Sequence, residues 1–321
     1  MKQFNPKNFS RIVKWVIKEG HPQPTERGDT IEIMNASFML HDPRNRIVTE
    51  SWRKTNFPFG VAEWLGLMTG SDDLRLFTNF VSSYSKYSTD GKSVDGAYGP
   101  RLAIGPTGKV EDDGASATVK HVVDMLRTSG ISRRAVIPIY NVVDLYGGGG
   151  KNTPCTLSLQ FMIRDSKLIC ITNMRSNDVI LGLTYDMFSF TMLQEYIARQ
   201  LGVELGPYYH NAGSFHVYVD AIKGKKFEAA ERWAPLMNPM PVLTKYDIWG
   251  LYNIYVQIKD SSFPFDFEVK KLCPYMQDLA FAAEAFVCRK NPLAAWIYFK
   301  KIQDYTIRHV TRPWLTGERD D

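Results

Sequence analysis

Pro154-Cys155-Thr156-Leu157-Ser158-Leu159-Gln160-Phe161-Met162-Ile163-Arg164-Asp165-Ser166-Lys167-Leu168-Ile169-Cys170-Ile171-Thr172-Asn173-Met174-Arg175-Ser176-Asn177-Asp178 is the stretch on which the fold turns. Leu157, Leu159, Phe161 and Ile163 alternate with mostly polar neighbours, which predicts a strand. Asp165-Ser166 predicts a turn, and residues 168–174 return as a second strand, so the pair reads as a hairpin. Cys155 opens the first strand and Arg175 closes the second. The pairing therefore lets a guanidinium face a thiol, the environment that favours a thiolate. Beyond the hairpin come Asp178, a Leu181-Gly182 turn and Asp186, then an amphipathic helix over residues 188–201 ended by Gly202. A strand over residues 215–220 follows, with His216 and Tyr218 two apart and so on one face. One thiol, one arginine, two carboxylates and a His/Tyr pair form the equipment for attacking an activated ring carbon, and the chain reads as an enzyme.

Outward from this segment, residues 29–40 alternate like a strand. Residues 59–68 read as a short helix stopped by Gly70, and residues 71–91 show no clear period. Val119, Val122, Val123 and Leu126 give residues 117–128 a helical face, with Gly130 as the expected cap. Residues 135–142 form a short apolar run expected as a buried strand. After residue 240 the chain is aromatic-rich and mixed, with a helix expected over 293–305. The fold class is α/β (α+β): a mixed sheet flanked by helices, without the βαβ repeat of a doubly wound sheet.

The 321 residues are 44% hydrophobic and 23% charged with a net charge of +5. That balance suits one large domain with a full core and tolerance for anionic ligands, and the basic residues are too scattered to suggest nucleic acid. Met1-Lys2-Gln3-Phe4-Asn5-Pro6 has no apolar leader, and no apolar run is long enough to span a membrane. The four cysteines show no metal-site spacing. Free thiols and a cytoplasmic location are the expectation, with no metal.

Each candidate has a plainer alternative. A cysteine at a strand start is usually a small buried hydrophobe. The run Gly147-Gly148-Gly149-Gly150-Lys151 fails the phosphate-loop pattern, since Leu145 and Asn152 stand at its key positions, and reads as a mobile loop. Arg133-Arg134 and Arg175-Ser176 are either solvated charges or paired forks for a phosphate. His216 and Tyr218 suit two sugar oxygens or belong to a strand with one polar face. Asp186 precedes the helix, where a capping aspartate is the ordinary role. No GxGxxG follows a strand, which disfavours a dinucleotide oxidoreductase.

Taken in order, Arg27, Glu63, Tyr98-Gly99, Arg133-Arg134, Pro154-Cys155, Arg175-Ser176 with Asp178, Leu181-Gly182 and His216 with Tyr218 resemble the thymidylate synthase superfamily, over residues 27–218. The resemblance implies a thymidylate synthase-like fold, with residues 1–220 as the catalytic core and residues 221–321 completing it and adding a divergent helical extension. It implies Cys155 as nucleophile, Glu63 and Tyr98 moving protons, and Arg27, Arg175 and Ser176 on a nucleotide phosphate. It also implies a homodimer whose Arg133 and Arg134 reach the partner's phosphate. His216 and Tyr218 would hold the sugar, and Asp178, Gly182 and Glu63 the co-substrate, 5,10-methylenetetrahydrofolate.

Departures from the family pattern sharpen this. Uridylate enzymes carry asparagine where this chain has Asp186, and aspartate here resembles the (deoxy)cytidylate 5-hydroxymethylases. A proton-sharing aspartate accepts from the cytosine amino group and donates to N3. The synthase tryptophan pair is missing, with Tyr84 and Tyr87 nearby. The small apolar tail is absent, and the chain ends Gly317-Glu318-Arg319-Asp320-Asp321. Thr156 and Met174 replace a histidine and a glutamine. The expected function is hydroxymethylation of CMP or dCMP. The rivals are a reductive methyltransferase on deoxycytidylate or uridylate, and an inactive nucleotide- or RNA-binding paralogue.

Overall fold

A computed structural model describes residues 2–4, 9–104, 116–147, 150–227 and 236–315. Gly148 and Gly149 of the glycine run, the Gly317-to-Asp321 ending, and Met1, Asn5 and Pro6 of the opening lie outside the described residues.

The two-residue period of the quoted stretch builds the middle of one mixed sheet. Its strands are β1 (Lys2–Phe4), β2 (His21–Gln23), β3 (Thr30–Leu40), β4 (Val136–Pro138), β5 (Thr156–Arg164), β6 (Lys167–Asp178) and β7 (Glu204–Tyr218). They run in the order β1-β3-β7-β6-β5-β4, with β2 also on β3. The expected hairpin is β5–β6, turned by Asp165 and Ser166 at φ of 51° and 60°. Paired left-handed residues match the twist of the strands they join. β6 then runs parallel to β7 through the helix Gly182–Leu201, a single βαβ crossover.

The hairpin is irregular at the nucleophile. Pairing shifts between Thr156 and Ser158, which makes Leu157 the extra residue of a bulge. Thr156 is buried and Leu157 is 38% exposed, while Leu159 and Phe161 stay in the core. The inward alternation expected to begin at Leu157 therefore begins at Leu159. The bulged carbonyl of Leu157 accepts from the N–H groups of Ile139 and Tyr140 at 2.9 and 3.2 Å, so the distortion is hydrogen-bonded.

Several expected boundaries move for local reasons. The helix expected from 188 starts at Gly182, because Asp178 Oδ1 accepts from the N–H of Ile180 and Leu181 at 2.8 and 3.2 Å and winds the chain early. Asp186 thus lies a turn inside the helix and caps nothing. This helix is also buried almost all round, not on one face. Ser129 closes the helix Ala117–Thr128 in place of Gly130. The run at 135–142 yields only β4, since Asn141 and Asp144 form a capping box that turns Val142–Leu145 into helix. The strand expected at 215–220 is the end of the longer β7, and Asp220 sits in the helical turn Val219–Ile222. Residues 71–91 contain the short helices Leu74–Thr78 and Ser82–Tyr87. The helix expected at 293–305 breaks into Pro292–Lys301 and Tyr305–Thr311, where Asp278 accepts from the N–H of Gln303 and Asp304.

The glutamate-bearing helix Phe57–Thr69 is the structural hub. Asn56 caps it by accepting from Phe59 N–H, and Gly70 ends it at φ 70°. Its side chains are buried on nearly every side. The helices Lys245–Gln257 and Pro274–Val287 pack on it from the C-terminal part. Phe80 meets the rings of Tyr255 and Phe286 at 5.0 and 6.2 Å, and Trp314 donates to the Thr55 carbonyl at 3.0 Å. A fully buried Arg46–Glu195 pair, whose carboxylate also accepts from Met240 N–H at 2.9 Å, joins this layer to the helix Gly182–Leu201. Residues 236–315 thus brace the wall that carries Glu63. Among the described residues no helix is long and apolar enough to cross a membrane.

Candidate active site

Cys155 enters β5 at the bulge, and its sulfur is half-buried. Across the hairpin the Arg175 guanidinium reaches it at 3.8 Å and donates to the carbonyls of Pro154 and Thr153 at 2.9 and 3.0 Å. Arg175 N–H also donates to the Cys155 carbonyl at 2.8 Å, so the strand pairing itself sets this juxtaposition. Burial nevertheless pushes the thiol's pKa up, against the pull of Arg175 and Arg27, and Asp186 and Asp178 push the same way. The guanidinium does not outweigh burial, and the group remains a thiol at neutral pH.

Tyr98 stands against Cys155, Tyr84 acts electrostatically with both Glu63 and Tyr98, and Glu63 acts with Asp186. The Tyr98 hydroxyl oxygen accepts from the N–H of Cys155 and of Thr156, both at 3.2 Å, and from the Thr156 hydroxyl at 3.3 Å. Its neighbour Gly99 lies so close to the end of the glutamate helix that a Cβ would fall 2.4 Å from the Gly66 carbonyl. Glu63, half-buried, has its pKa raised well above the ordinary value by burial first and Asp186 second. Burial also raises the Tyr84 phenol, with Glu63 and Tyr98 adding to it. The Tyr84 ring stacks on Phe77 at 5.1 Å and meets Phe59 and Tyr87 edgewise. Two phenol rings thus line the wall beside the glutamate.

The third side is the end of β6 and the helix that follows. Gly182 is needed for close approach: a Cβ there would sit 3.0 Å from Asn177 Nδ2 and 3.3 Å from Asp186 Oδ2. That clearance admits a 2.8 Å hydrogen bond from the Asn177 amide to Asp186. Burial raises Asp186 to about 7, with Asn177 lowering it and Asp178 raising it. Asp178, raised chiefly by burial, pairs in register with His216 on β7. Burial holds His216 below its ordinary value, while Asp178 and Glu32 oppose that. The His216 and Tyr218 rings meet edgewise at 5.2 Å, on one side of the strand as expected. Ser176 lies in register with Ser214, and Arg27 is exposed, close enough to act on both Cys155 and Tyr218. Arg133 and Arg134 stand apart, exposed on the approach to β4 at the sheet edge, and within one chain they do not join this group.

Comparison with known proteins fits this arrangement. A family model described as "Thymidylate synthase" matches residues 7–247. The chain belongs to the thymidylate synthase family. Two relatives named deoxyuridylate hydroxymethyltransferase, from Delftia phage PhiW-14 and Bacillus phage SP01, are each 30% identical, over 62% and 70% of this chain. The matched regions span 56% and 60% of those relatives, so the chain covers rather more than half their length. A thymidylate synthase from Bacillus licheniformis is 27% identical over 65% of this chain and 75% of its own. The solved thermostable thymidylate synthase A from Bacillus subtilis superposes with a TM-score of 0.60 at 23% identity, covering 74% of this chain and 87% of that one, and shows the shared fold.

Within that family fold, Asn177, His210, Tyr208, Tyr84 and Thr156 adjoin the expected residues without having been singled out for a role. The Asn177 side-chain oxygen lies 3.2 Å from His210 Nε2, and Tyr208 hydroxyl 2.9 Å from His210 Nδ1. His210 was hidden because only the end of β7 was expected as strand.

Proposed function

We propose that this chain is a folate-dependent 5-hydroxymethyltransferase acting on a cytosine nucleoside monophosphate. The observation that carries the reading is Asp186: a half-buried acid with a pKa near 7, beside the nucleophile, held by an amide donor. At that pKa a large fraction of the acid is protonated at neutral pH. It can then accept from the cytosine amino group while donating to N3. Uracil presents the opposite order of donor and acceptor.

Arg27, Arg175 and Ser176 would anchor the phosphate, with Arg133 and Arg134 supplied by the partner of a homodimer. His216 and Tyr218 would hold the sugar. Cys155 gives up its proton and bonds to C6, which makes C5 a carbon nucleophile. Asp186 shares its proton with N3 as charge builds there. Bound 5,10-methylenetetrahydrofolate would supply the one-carbon unit. Asp178 at the mouth of the Gly182 turn, with the Tyr84 and Tyr87 rings, offers the carboxylate and aromatic wall that a pterin needs. Loss of the C5 proton and departure of tetrahydrofolate would leave a methylene on C5. Glu63 then takes a proton from a water ordered by Tyr98 as the water oxygen adds to that methylene, and the C6–S bond breaks to restore the C5–C6 double bond and the free sulfur. Phenols in place of a tryptophan pair leave a more polar wall for that water, and the two phage relatives are named for hydroxymethyl transfer, though to deoxyuridylate.

Product chromatography from CMP, dCMP and dUMP with the folate tests this. Hydroxymethylated cytosine nucleotide is the expected product, without the absorbance rise of dihydrofolate. Dihydrofolate formation would establish the reductive rival, and a dUMP preference would overturn the role of Asp186. Asp186→Asn should shift preference toward uracil nucleotides. Inactivation by iodoacetamide, prevented by nucleotide, separates an enzyme from a binding paralogue.

A further inference from the structure

A carboxylic acid alone does not distinguish cytosine from uracil. Moving its proton from one oxygen to the other inverts the order of donor and acceptor, and the same side chain then fits the other base. Something must fix which oxygen carries the proton.

Behind Asp186 runs a chain of three neutral side chains on β6 and β7. Asn177, buried, donates its amide to Asp186 Oδ2 at 2.8 Å, so its own oxygen faces His210 Nε2 at 3.2 Å. An acceptor there requires the Nε2–H tautomer, which leaves Nδ1 bare to accept from the Tyr208 hydroxyl at 2.9 Å. His210 and Tyr208 are fully buried, and the imidazole stacks on Phe38 at 4.7 Å. Every hydrogen bond therefore points the same way, from Tyr208 through His210 and Asn177 to Asp186.

We propose that Asn177, His210 and Tyr208 are positioning residues that hold Asp186 Oδ2 as an obligatory acceptor and confine the acid's proton to Oδ1, making the aspartate selective for one base edge. This deepens the proposed function, in which Oδ2 receives the amino group with its second lone pair and Oδ1–H meets N3. Burial keeps His210 neutral, with a pKa of about 3, so the chain supplies oriented dipoles and no charge at working pH. The other titratable groups acting with Asp186 are Asp178 from β6, Glu63 from the helix Phe57–Thr69, Tyr98 and Tyr84 from two short helices, Cys155 at β5 and Tyr208 from β7.

The test compares kcat/KM for the cytosine and uracil monophosphates, from pH 5.5 to 9, in Asn177→Leu, His210→Phe and Tyr208→Phe enzymes. Asn177→Leu and His210→Phe should each shrink the ratio between the two bases about tenfold, roughly the worth of one buried polar mismatch. Tyr208→Phe should shrink it by about threefold, since it strips only the far end of the relay, leaving His210 Nδ1 bare while the His210–Asn177 and Asn177–Asp186 bonds remain. Losing the Asn177 bond should also move the pH midpoint assigned to Asp186 upward, a change that a packing defect alone does not produce. Ratios within twofold of the parent in both Asn177→Leu and His210→Phe would overturn the proposal. His210→Phe keeps a ring on Phe38 and decides the matter should Asn177→Leu not fold. If the parent prefers uracil, the cytosine reading fails, yet the collapse of its ratio in these variants still upholds the relay. If Asp186→Asn shifts preference and these variants do not, the relay alone fails.

Discussion

On one side of the candidate site, Arg175, Ser176, Asn177, Asp178, Asp186, His216 and Tyr218 all come from a single strand–helix–strand unit, residues 167–218. On the other side, Glu63, Tyr84 and Tyr98 come from three separate helical pieces held by aromatic packing and braced by residues 236–315. The first side is aligned by strand register and side-chain hydrogen bonds. The second is aligned by close-packed rings and by the approach of Gly99 to the glutamate helix. Damage should therefore spread differently: a packing defect in the C-terminal helices should reach Glu63, Tyr84 and Tyr98 before it reaches the strand–helix–strand side.

The sharpest way to break that division is at the sulfur. Cys155→Ser should lower kcat by on the order of a thousandfold or more while nucleotide affinity by calorimetry stays within a few fold. A parallel loss of affinity would mean that the two sides are not separable. Glu63→Gln should lower kcat by roughly a hundredfold to ten-thousandfold with little change in nucleotide KM, measured under saturating folate. Phe286→Ala, in the buried face of the helix Pro274–Val287, should cost about 3–5 kcal/mol in denaturant unfolding. In the surviving folded fraction it should reduce kcat more than nucleotide affinity, and the reverse order would refute the bracing role.

A further expected effect is a pH signature at Asp186. With its folded pKa raised to about 7, the unfolded chain releases this proton first as pH rises from about 4. The folded state then binds more protons than the unfolded one, and stability falls with pH until about 7. Asp186→Asn removes that loss, so its melting temperature should exceed the parent's at pH 8 and the gain should vanish toward pH 4. Equal gains at both pH values would show that burial of this acid is not the cause.

Much of the first side was readable from sequence because its signals are local. The alternation at Leu159 and Phe161, the Asp165-Ser166 turn and the pairing of His216 with Tyr218 each act over a few residues. Family resemblance pointed to Glu63 and Tyr98; the contact of Tyr98 with Cys155 depends on long-range packing that no local pattern records. The relay stayed hidden because Asn177 sits between two residues with stronger claims, and because His210 is meaningful only once β7 is known to pair with β6. The plainer alternative for Asp186, a helix cap, falls away because the carboxylate of Asp178 starts the helix a turn earlier.

The bulge at Leu157 carries a consequence of another kind. Because successive residues of a strand face opposite ways, removing that one residue would leave every reactive group in the chain and turn the sulfur toward the wrong side of the sheet. Under the proposed function, shortening by a single amino acid would then leave a protein that grips its nucleotide and never changes it. At this spot the count of residues governs the chemistry more tightly than their identity does.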